Sequence, residues 1–142
     1  MKNLAIIYWS GTGNTEAMAR QVAEGAEAAG AKAQLIAAAE FGADRLGSYD
    51  AFAFGCPSMG AEELEETEFE PMFSAVKPGL AGRTVALFGS YGWGDGEWMR
   101  TWADDCRQAG VALAAEPVIA NEAPDDEACA ACRALGKALA EA

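Results

Sequence analysis

Residues 4–30, LAIIYWSGTGNTEAMARQVAEGAEAAG, carry the main evidence for the fold, because they contain one complete strand–loop–helix unit. The apolar run Leu4–Tyr8 predicts a buried strand, and Asn14–Ala29 predicts a helix with apolar residues at helical spacing along one face. Gly30 is typical of the residue that ends a helix. The loop between them, residues 10–15, consists only of glycine and polar residues.

The same alternation of apolar strands and helical patterns continues through the rest of the chain. Further strands are predicted at Ala33–Ile36, Ala51–Gly55, Thr84–Gly89 and Val111–Ile119. Further helices are predicted at Glu63–Val76, broken or displaced near Pro71, and at Glu97–Ala109 and Asp126–Ala140. Such alternation predicts parallel strands joined by right-handed helical crossovers, with helices on both faces of the sheet. At 142 residues the chain has the length of one domain, so we predict a single α/β three-layer sandwich over 1–142.

Composition and charge limit the classes of function. Half of the residues are hydrophobic and 23% are charged, as in globular proteins, and no apolar stretch approaches the 18 residues of a membrane span. No signal peptide is evident at the start, so we expect a cytoplasmic protein. The formal net charge of −12 argues against nucleic acid and anionic membranes as partners and favours basic protein surfaces.

The four cysteines do not predict a metal site. The chain contains no histidine, which excludes a mixed Cys/His zinc site. Cys129 and Cys132 form a Cys-x-x-Cys pair, but the pair lies inside the last predicted helix rather than after the first strand, where redox-active pairs occur. We interpret them as thiols that pack the helix, and a redox or metal role is the alternative.

The first loop, Ser10–Thr15, has the features of an anion-binding site. Backbone N–H groups and side-chain donors converge at a helix N-terminus, where the helix dipole is positive, so we predict a phosphate-binding loop. The alternative is an ordinary turn with Thr12 or Asn14 as the N-cap. The Gly-Lys-Ser/Thr ending of a Walker loop is absent, and Glu16 replaces the third glycine of the dinucleotide motif. Neutral donors alone would hold the phosphate.

Two further loops follow the third and fourth predicted strands and should reach the same edge of the sheet. In one, Met59 and Gly60 precede Glu62, whose carboxylate can accept a ring N–H. In the other, Trp93 lies among glycines and is either a hydrophobic plug or a surface on which a ring stacks. Methionine is by default a core residue, but beside a phosphate-binding loop this set describes a site for flavin mononucleotide (FMN).

Three segments in order resemble the flavodoxins, and the resemblance extends over essentially the whole chain. They are YWSGTGNTE at 8–16, GCPSMG at 55–60 and LFGSYGWGDGEW at 87–98. The likeness is strongest for the short-chain flavodoxins of clostridia and related anaerobes. It implies a five-stranded parallel sheet of order 2-1-3-4-5 that holds FMN non-covalently. It also implies a monomeric, low-potential one-electron carrier, not an enzyme, that contacts the basic surfaces of redox proteins transiently.

The resemblance also implies roles for individual residues. Met59 and Trp93 would flank the isoalloxazine ring, and Glu62 would accept from its N3–H, while the Gly60 carbonyl would turn toward N5–H when the semiquinone forms. Pro57 stands where some relatives have a hydroxyl residue that contacts the phosphate, so that contact is lost. The residues expected to bind the cofactor are Ser10, Gly11, Thr12, Gly13, Asn14, Thr15, Ser58, Met59, Gly60, Ala61, Glu62, Ser90, Tyr91, Gly92, Trp93, Gly94 and Asn121.

Two other functions are compatible with an FMN site on this fold. An FMN-dependent NAD(P)H:quinone reductase would need a second pocket over the flavin and normally an oligomer, and a flavin carrier would have no redox role. Six glutamates within Glu62–Glu70, here called the acidic segment, bear on the choice. They predict a surface that steers basic partners and lowers the second reduction potential, whereas the simpler interpretation is a solvated helix face.

Overall fold

The computed structural model describes residues 2–142 and contains one parallel sheet flanked by four helices. Its strands are β1 (Asn3–Tyr8), β2 (Lys32–Ala37), β3 (Ala51–Gly55), β4 (Thr84–Tyr91), β5 (Ala112–Leu113) and β6 (Val118–Asn121). Its helices are α1 (Asn14–Ala28), α2 (Phe69–Val76), α3 (Glu97–Gln108) and α4 (Asp126–Glu141), with short 3-10 turns at Ala38–Glu40, Ala43–Ser48 and Lys77–Leu80. No helix within residues 2–142 has the length and apolarity required to cross a bilayer.

The order of the strands is β2-β1-β3-β4-β5, and every strand pairing is parallel. Side chains alternate between two buried clusters, one on each face. Helices α1 and α4 cover the face that contains Leu4 and Ile6, and α2 and α3 cover the face that contains Ile7 and Phe54. The predicted three-layer sandwich and its strand order are confirmed.

Helices α1 and α4 pack with their backbones in contact. A Cβ atom added to Gly25 would lie 2.0 Å from the Arg133 carbonyl oxygen, and one added to Gly136 would lie 2.0 Å from the Val22 carbonyl oxygen. Both distances are far below van der Waals contact, so only glycine fits at either position. The close approach positions α1, and therefore its N-terminus, against the sheet.

The predicted start of the second helix at Glu63 is wrong, because α2 begins at Phe69. The buried carboxylate of Glu65 accepts hydrogen bonds from the backbone N–H groups of Thr67, Glu68 and Phe69, at 2.8, 2.8 and 2.9 Å. Burial raises the pKa of the Glu65 carboxyl. These three hydrogen bonds and one from the Thr67 hydroxyl together lower it by more, so the pKa of Glu65 lies below its ordinary value. Residues before Phe69 therefore form a loop organised around Glu65.

The predicted fifth strand, Val111–Ile119, is divided in the structure. Strands β5 and β6 both pair with β4, and the segment 114–117 separates them. Pro117 has no N–H to donate to a ladder, which explains an interruption at this edge of the sheet. The carboxyl end of β6 nevertheless reaches the level of the β4 end, where Asn121 pairs with Tyr91.

Candidate functional site

A cavity of about 300 Å³ opens at the carboxyl ends of β1, β3 and β4. The structure thereby brings together the three loops that the sequence predicted to share one edge. The lining residues are Trp9, Ser10, Gly11, Thr12, Asn14, Thr15, Pro57, Ser58, Met59, Ser90, Tyr91, Gly92, Trp93 and Glu122. None of them is a lysine or an arginine.

The loop after β1 presents unpaired backbone donors to this cavity. Gly13, with a φ of 97°, is the N-cap of α1 and has no side chain of its own to cap the helix, so the alternative of a turn with Thr12 or Asn14 as the N-cap is wrong. The Ser10 hydroxyl accepts hydrogen bonds from the N–H groups of Gly13 at 3.0 Å and Glu16 at 3.3 Å. In residues 2–142 the N–H groups of Asn14 and Thr15 donate to no acceptor. They are available to an anion at the positive end of the helix.

Three buried hydroxyl groups form the floor of the cavity. Thr15, Ser58 and Ser90 are 1%, 3% and 5% exposed, and they are the buried serines and threonines of the chain between residues 2 and 142. The Thr15 and Ser90 hydroxyl oxygens lie 3.4 Å apart. The Ser58 N–H donates to the Ser90 carbonyl at 3.0 Å, whereas the Ser58 hydroxyl has no partner within residues 2–142. Polar groups are thus concentrated where the phosphate-binding loop meets β3 and β4.

Two tryptophans border the cavity, and sequence reasoning identified only one of them. Trp93 is 53% exposed, and its indole N–H donates to the Gly60 carbonyl at 3.2 Å. Trp9 was missed, although an aromatic residue directly after a strand at this edge was a usable signal. Its indole N–H donates to Glu68 at 3.0 Å, and its ring lies against Gly11, where an added Cβ would be 3.1 Å away. Trp9 therefore connects the phosphate-binding loop to the acidic segment.

The loop after β3 is a tight three-residue turn. Met59 and Glu63 exchange backbone hydrogen bonds of 2.8 Å in both directions. Gly60 and Glu62 have φ values of 53° and 58°, while Ala61 is not in the left-handed region. A left-handed conformation costs a residue with a Cβ about 1–2 kcal/mol. Glu62 is therefore strained, and such strain is concentrated at functional sites.

The carboxylate of Glu62 is directed inward. Its Oε1 atom is buried and has no hydrogen-bond partner within residues 2–142. A Cβ added to Gly94 would lie 2.4 Å from this oxygen, so the carboxylate occupies the space that a side chain at Gly94 would need. A buried carboxylate oxygen without a donor is costly in the absence of a ligand. This oxygen is suited to accept an N–H from a bound ring.

Some predicted residues do not line the cavity. Gly13, Gly60, Ala61, Glu62, Gly94 and Asn121 are outside its lining, although Gly13 and Glu62 orient groups beside it. The Asn121 amide donates to the Tyr91 carbonyl at 3.5 Å, and the next residue, Glu122, lines the cavity with a φ of 58°. Glu122 and Pro57 were not among the predicted ligands. The positive φ of Glu122 could not be inferred from residue type.

The Cys-x-x-Cys pair lies away from the cavity. Cys132 is buried between α4 and α1, and burial raises the pKa of its thiol to about 12. Cys129 is partly exposed on the same helix. Neither lines the cavity, which agrees with the interpretation of thiols that pack the helix.

The surface beside the cavity is strongly negative. Within the acidic segment Glu63, Glu66, Glu68 and Glu70 are exposed, whereas Glu65 is buried as the cap of α2. The prediction of six surface carboxylates was therefore too high. In the part of the chain that the structure describes, no carboxylate of the segment forms an ion pair. The negative field is thus not neutralised locally.

The arrangement defines a class of protein. The carboxyl edge of the open parallel sheet presents a neutral phosphate-binding loop, buried hydroxyls and a cleft bordered by aromatic residues. These features are typical of α/β mononucleotide-binding proteins. The unpaired N–H groups of α1 fit a phosphate monoester, and the unpaired oxygen of Glu62 fits a ring N–H. This combination of hydrogen-bond donors and an acceptor therefore suits a flavin mononucleotide.

Comparison with known proteins identifies the family. The flavodoxin family model matches residues 6–136. A flavodoxin of Megasphaera elsdenii is 44% identical over 96% of this chain and 98% of its own, and one of Clostridium beijerinckii is 42% identical over 96% and 99%. The solution structure of the two-electron reduced M. elsdenii flavodoxin superposes with a TM-score of 0.90, covering 98% of this chain and 99% of that one. A flavodoxin from the domain Archaea, 27% identical, has a TM-score of 0.84 with coverages of 98% and 96%.

The chain belongs to the flavodoxin family. It is an FMN-binding electron-transfer protein and not an enzyme, as the resemblance implied, and the similarity to short-chain flavodoxins is confirmed. Nothing in the comparisons favours a quinone reductase.

Proposed function

We propose that this chain carries single electrons at low potential between redox proteins, with FMN bound in the 300 Å³ cavity. The observation that carries the proposal is electrostatic. The cavity lining contains no cationic side chain, and four exposed carboxylates of the acidic segment lie next to it without ion-pair partners in residues 2–142. FMN, when bound, supplies a ring that accepts and releases electrons one at a time.

Three groups of residues would hold the cofactor. Ser10–Thr15 would bind the phosphate with backbone and hydroxyl donors, assisted by Ser90. Met59 and Trp93 would flank the ring, and Tyr91 and Gly92 would form the adjacent backbone wall. Gly94 would leave room for the Glu62 carboxylate. Glu62 would accept a ring N–H through its unpaired oxygen. Gly60, Ala61 and Asn121 would act through the conformation of their loops rather than by lining the cavity.

Uncompensated negative charge would lower the potential at which the ring accepts its second electron. Each carboxylate near the ring opposes the addition of negative charge by Coulomb repulsion. Several such carboxylates act in the same direction, and no lysine or arginine of the lining opposes them. The protein's contribution is therefore to disfavour the fully reduced, anionic cofactor.

The same surface would select the partners. An unpaired patch of Glu63, Glu66, Glu68 and Glu70 attracts basic protein surfaces over distances near the Debye length, about 8 Å at physiological salt. Small and charged contacts of this kind suit short-lived encounters. We infer a monomeric carrier with one domain over 1–142. The four free cysteines support a reducing compartment such as the cytoplasm.

Titration of the FMN-free protein with three flavins tests the proposal. We expect tight binding of FMN, weaker binding of FAD because the loop closes on a terminal phosphate, and much weaker binding of riboflavin. Fluorescence quenching measures all three affinities. Equal affinity for FMN and FAD, or rapid turnover of NADPH with a quinone, would contradict the assignment.

A further inference from the structure

Ser58 combines burial with an unused hydroxyl. Its side chain is 3% exposed and lines the cavity, and its Oγ atom is buried without a hydrogen-bond partner in residues 2–142. Burial of a hydroxyl without a partner destabilises a folded protein. The Ser58 hydroxyl receives no stabilising hydrogen bond from the described part of the protein, and a ligand in the cavity could provide one.

The surroundings of Ser58 indicate which part of a ligand it faces. Its N–H donates to the Ser90 carbonyl at 3.0 Å, which holds Ser58 beside Ser90. The Ser90 hydroxyl lies 3.4 Å from that of Thr15, in the first turn of α1. Ser58 is thus linked through Ser90 to the helix end whose N–H groups are free. This is the anion-binding end of the cavity.

Pro57, the residue before Ser58, increases the importance of the Ser58 hydroxyl for binding an anion. It lines the same cavity, but proline offers neither a side-chain hydroxyl nor a backbone N–H. A phosphate held without lysine or arginine depends on the number of neutral donors around it. Of these two adjacent lining residues, Ser58 is therefore the one whose side chain can donate to a phosphate.

We propose that Ser58 is a phosphate ligand of the bound flavin nucleotide, with its hydroxyl donating to a phosphate oxygen in place of the donor that Pro57 cannot supply. The inference rests on the proposed FMN site and adds to it a specific donor. Within residues 2–142 no group of the protein pairs with this hydroxyl, so it is available to a phosphate oxygen.

Replacement of Ser58 by alanine tests the proposal against two ligands that differ only in the phosphate. We expect Ser58→Ala to weaken FMN about 10-fold, which corresponds to about 1.4 kcal/mol, while the affinity for riboflavin changes less than about twofold. The thermal midpoint of the FMN-free variant should equal or exceed that of the wild type, because the change removes a buried unpaired hydroxyl. Ser48→Ala, at an exposed serine, is the matched control and should change none of these quantities.

The possible results separate the inference from the function. An unchanged FMN affinity in Ser58→Ala overturns the role of Ser58. Equal losses for FMN and riboflavin assign the hydroxyl to the ribityl chain or ring and also overturn it. A lower midpoint of the FMN-free variant with an unchanged ratio of FMN to riboflavin affinity shows a purely structural role. Failure of the wild type to bind FMN would instead overturn the proposed site itself.

Discussion

Replacement of Gly94 by alanine would test whether the Glu62 carboxylate is held in place for a ligand. Gly94 has a φ of 78°, and an added Cβ would lie 2.4 Å from Glu62 Oε1 and 2.5 Å from its Cδ. The carboxylate is the end of a flexible side chain, whereas the Gly94 backbone belongs to a tight loop. We therefore expect the carboxylate to move and the loop to keep its course.

Two separate costs follow from this change. An alanine in the left-handed region costs about 1–2 kcal/mol relative to glycine, which lowers the thermal midpoint of the FMN-free protein by roughly 3–8 °C. Loss of a hydrogen bond to a charged acceptor costs about 1.5–3 kcal/mol, and this cost applies only to the complex with FMN. The dissociation constant of FMN should therefore increase roughly 10- to 150-fold.

A double-mutant cycle separates the two costs. FMN affinity is measured by fluorescence quenching for the wild type, Gly94→Ala, Glu62→Ala and the double variant. If displacement of the carboxylate causes the loss, Gly94→Ala should weaken FMN less than about twofold in the Glu62→Ala background, while its effect on the thermal midpoint persists. Equal losses of affinity in the two backgrounds would refute the reasoning.

Four further predictions concern other parts of the molecule. Trp93→Phe keeps an aromatic face but removes the N–H that donates to the Gly60 carbonyl. FMN should then dissociate roughly fivefold faster in stopped-flow experiments, which corresponds to a loss of about 1 kcal/mol. An unchanged rate would show that this hydrogen bond does not hold the cleft closed. Gly136→Ala places a Cβ 2.0 Å from the Val22 carbonyl oxygen and should lower the free energy of unfolding by about 1–3 kcal/mol or more, measured by denaturant titration beside the exposed control Lys137→Ala. Electron transfer to a basic protein acceptor should slow steeply as ionic strength rises, and a flat salt profile would contradict a role for the acidic segment. Hydrogen bonds lower the pKa of Glu65 despite its burial, so its carboxylate stabilises the fold at pH values above the unfolded-state pKa. This stabilisation is lost as pH falls through the folded-state pKa. Glu65→Gln should therefore be less stable than the wild type at neutral pH, and the difference in stability should shrink in acid.

The strength of the local signal explains which elements could be predicted. The four-residue apolar core of β1 is buried on both faces of the sheet, which requires a continuous apolar run, and α1 is buried along one stripe, which requires helical spacing of its apolar residues. The start of α2 lacks such a signal. The residues before Phe69 are charged and compatible with a helix. The helix nevertheless begins only at Phe69, because the Glu65 carboxylate turns inward and accepts the Phe69 N–H. Pro117 is a local signal for the break between β5 and β6, but that both strands pair with β4 is a contact distant in sequence.

The sequence by itself determined the layered fold, the three loops that converge and the chemical types that suit a neutral phosphate site. Those properties depend on residue type and spacing, which are local. Only the tertiary structure decided that Trp9 and Glu122 border the cavity, that the Gly60 carbonyl is bonded to Trp93, and that the Ser58 hydroxyl is buried without a partner. These facts concern atoms brought together from distant parts of the chain. Whether a polar group is paired depends on the positions of all its neighbours, which packing decides.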